Sequence, residues 1–108
     1  MGNLTIIKSQ HEFDIAIKKV NNNGNQLKFT NHQFNCEVVL NSPDFVNLHN
    51  CIFKQQFTLR GSTAKDLIIK NCQFNEVADF TNFKFLKNAR FHGCTFNEEV
   101  RFHNSKFM

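Results

Sequence analysis

Phenylalanine recurs along the second half of the chain at alternating intervals of six and five residues. The series comprises Phe74, Phe80, Phe85, Phe91, Phe96, Phe102 and Phe107. The residues two positions before them are mostly small or apolar: Cys72, Ala78, Phe83, Ala89, Cys94, Val100 and Ser105. Residues two apart point to the same side of a strand, whereas this spacing fits no single face of an α-helix. The pattern therefore predicts a chain that turns a corner after every five or six residues.

These intervals combine into a longer repeat of about 22 residues, one fewer in its first occurrence, which begins near Leu48. The repeat aligns Phe53 with Phe74 and Phe96, Leu59 with Phe80 and Phe102, Ala64 with Phe85 and Phe107, and Leu48 with Ile69 and Phe91. Asparagine recurs in the same register, at Asn50 and Asn71 and again at Asn82 and Asn104. We interpret the repeat as one coil with four short faces, and we expect successive coils to stack about 4.8 Å apart. The predicted fold is an all-β solenoid.

Two columns of side chains are expected to point into this solenoid. The inward phenylalanine column comprises Phe53, Phe74, Phe80, Phe85, Phe91, Phe96, Phe102 and Phe107. The inward cysteine column comprises Cys51, Cys72 and Cys94. Like residues in successive coils would lie above one another, with offset ring stacks inside the coil and asparagine ladders at its corners.

The N-terminal segment follows a different pattern. Residues 3–8 read as a short strand, and Ser9 with Glu12 has the spacing of a helix N-cap with its capping box. One apolar helical stripe follows, formed by Phe13, Ala16, Ile17 and Val20. Gly24 is suited to ending that helix. We therefore divide a single structural domain into an N-terminal strand and capping helix, 1–25, and a β-helix, 26–108, in which the register of 26–47 stays open.

Six segments share a frame of small residue, polar residue, phenylalanine and then polar residues. They are CQFNE (72–76), ADFTN (78–82), ARFHG (89–93), CTFNE (94–98), VRFHN (100–104) and SKFM (105–108). This frame resembles that of the pentapeptide-repeat proteins, whose consensus is A(D/N)LXX, and it covers 48–108 well. The resemblance implies a right-handed, four-sided parallel β-helix, and many members of the family have no known activity. Some acidic members imitate DNA and bind topoisomerases, but this chain carries a net charge of +4, which argues against that role.

Composition narrows the class of protein further. The 108 residues are enough for one domain, and all 14 aromatic residues are phenylalanine, without the tyrosine and tryptophan that often anchor ligands. The N-terminus has neither a signal-peptide pattern nor an apolar stretch long enough for a membrane span. Four cysteines without a secretion signal read as free thiols, because disulfides are disfavoured in the reducing cytosol. We expect a cytoplasmic protein with no membrane association.

Several residue pairs have the composition of reactive sites. His49 with Cys51, His92 with Cys94, and His32 with Cys36 could suggest zinc, but tetrahedral zinc needs four converging ligands. In the coil register Cys51 and Cys94 point inward, as does Cys72, and His49 and His92 lie at corners. Glu76, Glu98 and Glu99, or Cys94 with His92, could suggest catalysis, yet the carboxylates also fall at corners. We expect no metal, no cofactor and no enzymatic activity.

The outward charges provide a second hypothesis. Asp79 and Arg101 are one repeat apart and are expected to form an ion pair across the ladder. A basic stripe comprises Lys84, Lys87, Arg90 and Lys106. Cations in a line could contact a polyanion, so a basic nucleic-acid-associated module is the alternative function.

The last coil is expected to be open. Phe102, Phe107 and Met108 would face water, which solenoids normally prevent with a cap. Either the chain belongs to a longer protein, or two such ends meet in a homodimer. The sequence therefore favours a non-catalytic scaffold or protein-interaction module, with a protein as partner and an end-to-end interface at Phe102, Phe107 and Met108.

Overall fold

The computed structural model describes residues 3–20, 26–63 and 65–107. These residues form one helix, α1 (Gln10–Val20), and sixteen short strands. The strands are β1 (Thr5–Ile7), β2 (Gln26–Thr30), β3 (His32–Phe34), β4 (Val38–Asn41), β5 (Phe45–His49), β6 (Ile52–Phe53), β7 (Phe57–Arg60), β8 (Ser62–Thr63), β9 (Leu67–Lys70), β10 (Gln73–Phe74), β11 (Ala78–Asp79), β12 (Lys84–Phe85), β13 (Ala89–His92), β14 (Thr95–Phe96), β15 (Val100–Arg101) and β16 (Lys106–Phe107).

The strands form four parallel sheets, which are the four faces of a solenoid of about four turns. Face 1 contains β2, β5, β9 and β13, and face 2 contains β1, β3, β6, β10 and β14. Face 3 contains β4, β7, β11 and β15, and face 4 contains β8, β12 and β16. The chain passes through the faces in this order, except that the first coil has no face 4 strand among the described residues, and β1 adds one strand beside that coil on face 2. The predicted parallel β-solenoid with a short helix near its N-terminus is confirmed.

The coils lengthen along the chain. On face 2, Phe34 pairs with Phe53, Phe53 with Phe74 and Phe74 with Phe96, so each step is longer than the one before it. The asparagine hydrogen bonds that link these coils span the same separations, 19 residues for the first step and 22 residues for the last. The register of 26–47, which the sequence left open, is therefore a coil of 19 residues, shorter than the later coils.

Face 4 departs from the predicted register by one residue. Phe85 pairs with Thr63 there, one residue before the expected Ala64, which itself lies outside the described residues. Thr63 is buried at this position, although it is polar. The predicted column on this face therefore begins with a threonine and continues with Phe85 and Phe107.

Stacked rings fill the core. Phe34, Phe53, Phe74 and Phe96 form a column with ring centroids 4.8–5.0 Å apart and planes within 7° of parallel. Two shorter columns place Phe80 on Phe102 at 5.2 Å and Phe85 on Phe107 at 4.5 Å. Of the eight phenylalanines expected to point inward, those of the middle coils, Phe53, Phe74, Phe80 and Phe85, are buried; those of the last coil, Phe91, Phe96, Phe102 and Phe107, are half-buried or exposed.

Phe57 occupies an inward position where the repeat favours a small residue. Val38 and Ala78 take this position in the neighbouring coils. The ring of Phe57 is fully buried and lies edge-on to Phe53, 4.8 Å away, and to Phe74, 5.3 Å away. The small side chain of Ala78 in the next coil leaves volume for the ring of Phe57, so a large residue at this position is compensated by a small one beside it.

Two of the four corners use a left-handed residue in every coil. The corner between faces 1 and 2 holds Asn31, Asn50, Asn71 and Gly93, with φ between 53° and 67°. The corner between faces 3 and 4 holds Ser42, Gly61, Asn82 and Asn104, with φ between 44° and 86°. Asparagine is common here because its short polar side chain tolerates this conformation. Asn50 Nδ2 also donates a hydrogen bond to Asn31 Oδ1 at 2.7 Å, which links the first two coils.

Helix α1 covers the N-terminal end of the core. The amide of Glu12 donates to Ser9 Oγ at 3.2 Å, as a capping box requires, whereas Glu12 Oε1 accepts from the amide of Lys8 at 2.8 Å. Phe13 is buried, and its ring lies 6.3 Å from Phe29 and 5.9 Å from Phe34. The predicted helix stop at Gly24 and the side chain of Val20 lie outside the described residues.

We expect Phe74→Ala to lower the free energy of unfolding by about 3–5 kcal/mol, because it opens a cavity in the middle of the ring column. Phe107→Ala should cost under about 1 kcal/mol, since that side chain is 62% exposed. Urea unfolding of both variants, followed by circular dichroism at low protein concentration, measures the difference. Equal losses would show that the ring column does not support the fold.

Candidate interaction surface

The cysteine column is part of the core. Cys51 and Cys72 are buried and Cys94 is half-buried, and none is in a disulfide. Each thiol lies near a main-chain carbonyl oxygen: Cys51 Sγ is 3.6 Å from that of Phe29, Cys72 Sγ is 3.3 Å from that of Lys70, and Cys94 Sγ is 3.3 Å from that of Ile69. These contacts satisfy the weak S–H donor and give the column a structural role.

Burial and hydrogen bonding disfavour the reactive thiolate form of two of the cysteines. The hydrogen bond shared with Cys51, together with burial, raises the pKa of Cys72, and burial raises the pKa of Cys36. A thiol that stays protonated is a poor nucleophile and a poor metal ligand. Within the described ranges, no group of three or more His, Cys, Asp or Glu side chains is close enough to hold a metal ion.

The predicted ion pair between Asp79 and Arg101 is wrong, although the register behind it is right. The two residues are Cα partners on face 3. Asp79 Oδ1, however, accepts hydrogen bonds from the amide and hydroxyl of Thr81, at 2.9 and 2.5 Å. Arg101 instead binds Glu99 Oε1 through Nη2 at 2.6 Å and Nε at 2.9 Å. Thr81 and Glu99 lie two residues along the chain from Asp79 and Arg101, just outside β11 and β15, and these short-range contacts replace the pairing between coils.

The basic stripe is exposed. Lys84 and Lys106 are Cα partners on face 4, while Lys87 lies at the corner before face 1 and Arg90 on face 1. On face 1, Lys70 is the register partner of both His49 and His92. The four cations of the stripe therefore extend around the corner between faces 4 and 1 of the last two coils, where a ligand could reach them.

The other exposed feature is an apolar end surface, which we define as Phe91, Phe96, Phe102 and Phe107. All four rings belong to the last coil, and each stands in an inward column. Phe102 is 40% exposed and Phe107 is 62% exposed, whereas their stacking partners Phe80 and Phe85 are fully buried. The third residue of the expected interface, Met108, lies outside the described residues.

Comparison with known proteins adds no family to this description. No protein-family model, curated protein or solved structure matches the chain. In the part of the chain that the structure describes, no helix has the length and apolarity that a membrane span requires.

We expect a thiol reagent to distinguish the cysteines by burial. Iodoacetamide at mildly alkaline pH should modify Cys36 and Cys94 at least roughly tenfold faster than Cys51 and Cys72, because reaction at the inner pair requires the coil to open. Peptide mass spectrometry over time gives the four rates. Labelling of Cys72 as fast as Cys36 would contradict the closed core, and labelling in urea serves as the fully accessible control.

Proposed function

We propose that this chain is a non-catalytic scaffold that binds protein, built on a β-helix like that of the pentapeptide-repeat proteins. The frames quoted above support the family, because all their central phenylalanines except Phe91, which pairs with Ile69, fall in the ring columns of a four-faced parallel solenoid. The observation that carries the function is the end surface. Aromatic rings are the commonest anchors of protein interfaces, and contiguous exposed rings mark such sites.

The partner that we propose for the end surface is a second copy of this chain. Within the solenoid, each coil is covered by another coil whose rings stand at the same positions, with centroid separations of 4.5–5.2 Å on faces 2, 3 and 4. The end surface of a second copy offers the same four rings turned over by the two-fold axis, so the two ends would meet as apolar surfaces and not position by position. A two-fold interface requires such self-complementarity, and it would also cover the unpaired strand edges of the last coil.

Four free thiols support a cytoplasmic location as part of this proposal. Disulfides are rare in that reducing compartment.

We expect Phe107→Asp to convert a dimer into a monomer, because it places a charge in the middle of the apolar contact. The matched control is Leu86→Asp, which alters a side chain of 40% exposure outside the ring columns. Light scattering at several protein concentrations gives the mass of each variant, and circular dichroism checks the fold. If the parent is a monomer throughout, or if both variants behave alike, the end-to-end interface is ruled out.

A basic nucleic-acid-associated module is the second candidate. The observation that favours it is that Lys84 and Lys106 are both exposed and lie side by side as register partners on face 4. Neither lysine has an ion-pair partner among the described residues. A line of unneutralised cations is the usual electrostatic feature of a polyanion site.

We expect reversal of Lys84, Lys87, Arg90 and Lys106 to glutamate to abolish any salt-sensitive binding of DNA or RNA. Fluorescence anisotropy with a labelled single strand, over a range of salt concentrations, tests this. Binding that falls with salt in the parent and disappears in the variant would replace the scaffold proposal. Unchanged binding, or none in the parent, would exclude the basic stripe as a nucleic-acid site.

A further inference from the structure

A groove lies where helix α1 crosses the first coil, far along the chain from the end surface. It has a volume of about 370 Å³ and is lined by residues of β1, α1, β2 and β3. Small-molecule sites usually occupy about 300–1,000 Å³ and form where separate elements meet. The groove therefore has the size of a site for a small ligand.

The floor of the groove is apolar. Ile7 and Phe29 are only 7% and 5% exposed, and Ala16 and Ile15 line the helical side. Ile15 is 45% exposed, although it is a large aliphatic residue. Since Ile7 and Phe29 are already almost fully buried, Ile15 offers most of the surface that an apolar ligand could cover, at roughly 25 cal/mol for each Å² removed from water.

The rim of the groove is cationic. Lys19 extends from the last turn of α1, and Lys28 extends outward from β2. Of the described residues that line the groove, Glu12 is the one acid, and its Oε1 already accepts the hydrogen bond from the amide of Lys8. The two ammonium groups therefore leave an excess of positive charge beside the apolar floor.

His32 forms part of the wall, and a hydrogen bond from its Nδ1 holds the ring. Its Nδ1 lies 2.9 Å from the carbonyl oxygen of Thr30, which can only accept, so Nδ1 carries the proton. The ring also packs against Phe29, with centroids 4.9 Å apart. The wall is thus fixed before any ligand arrives, which lowers the entropic cost of binding.

We propose that this groove binds a small amphipathic carboxylate, such as a medium-chain fatty acid. Its hydrocarbon chain lies on Ile7, Ile15 and Phe29, and its carboxylate lies between the ammonium groups of Lys19 and Lys28. Charge and apolar surface are both matched by this class of ligand, whereas an uncharged lipid leaves the cations unpaired and a short acid leaves the floor open to water. The proposal does not depend on the scaffold function.

The ligand test uses octanoate with two matched compounds, acetate and 1-octanol, at constant ionic strength. We expect octanoate to shift the amide NMR signals of Ile7, Ala16 and Phe29 in a saturable way. Acetate lacks the hydrocarbon chain and 1-octanol lacks the charge, so both should bind at least roughly tenfold more weakly. Equal binding of octanoate and 1-octanol would overturn the role of the lysines. Shifts confined to Phe102 and Phe107 would locate the ligand at the end surface and refute the groove.

Variants separate the groove from general electrostatic attraction. Lys19→Glu and Lys28→Glu should each weaken octanoate binding roughly tenfold, because each removes one cation and adds a repulsive charge. Lys18→Glu is the matched control, since Lys18 is an exposed neighbour on α1 outside the lining. It should change the affinity less than twofold. An equal loss in all three variants would show a nonspecific charge effect and refute the site.

A filled groove gives an independent test of the same proposal. Ala16→Phe places a ring on the floor and should abolish octanoate binding while the lysines remain. If this variant does not fold, as judged by its thermal transition, the two charge variants still decide the question, because their side chains are at the surface. Full octanoate affinity in a folded Ala16→Phe protein would refute the proposal.

Discussion

In-register parallel pairing is the constraint on which the rest of this structure depends. A single coil has strands of two to five residues and cannot satisfy its own backbone groups, so every coil requires a neighbour that pairs with it strand by strand. Once the backbones are in register, identical positions must lie above one another. Ring stacks at 4.5–5.2 Å follow directly, because that spacing is both the distance between strands and a favourable distance for offset rings.

The same constraint explains which parts of the fold the sequence predicts. Phe53, Phe74 and Phe96 recur at nearly constant intervals, so their column could be read from spacing alone. The first coil could not be phased in this way, because its step is shorter than the later ones and it has no strand of its own on face 4 among the described residues. Phe57 was missed for another reason. A repeat defines which positions point inward, but the size of each side chain depends on the volume left by its neighbours in the stack.

The candidate surfaces were predicted unevenly. The exposure of Phe102 and Phe107 follows from the repeat, since the last coil is covered on one side only. The partner of Arg101 could not be predicted, because side-chain torsions choose between Asp79 across the ladder and Glu99 two residues earlier in the chain. The groove beside α1 had no sequence signal at all. It depends on how the helix crosses the first coil, and no periodic pattern encodes that geometry.

The increase in coil length has a consequence for how such a protein can change its size. The unequal steps show that the girth of the solenoid is not constant, so coils are not freely interchangeable. A duplicated segment fits only beside coils of equal girth, where its corners and rings meet matching ones. Duplication of the stretch from Phe74 to the residue before Phe96 meets that condition, whereas a copy of the shorter first coil would be out of phase there. Whole coils can therefore be added without a change of register only in the C-terminal part of this solenoid, where the coils are longest.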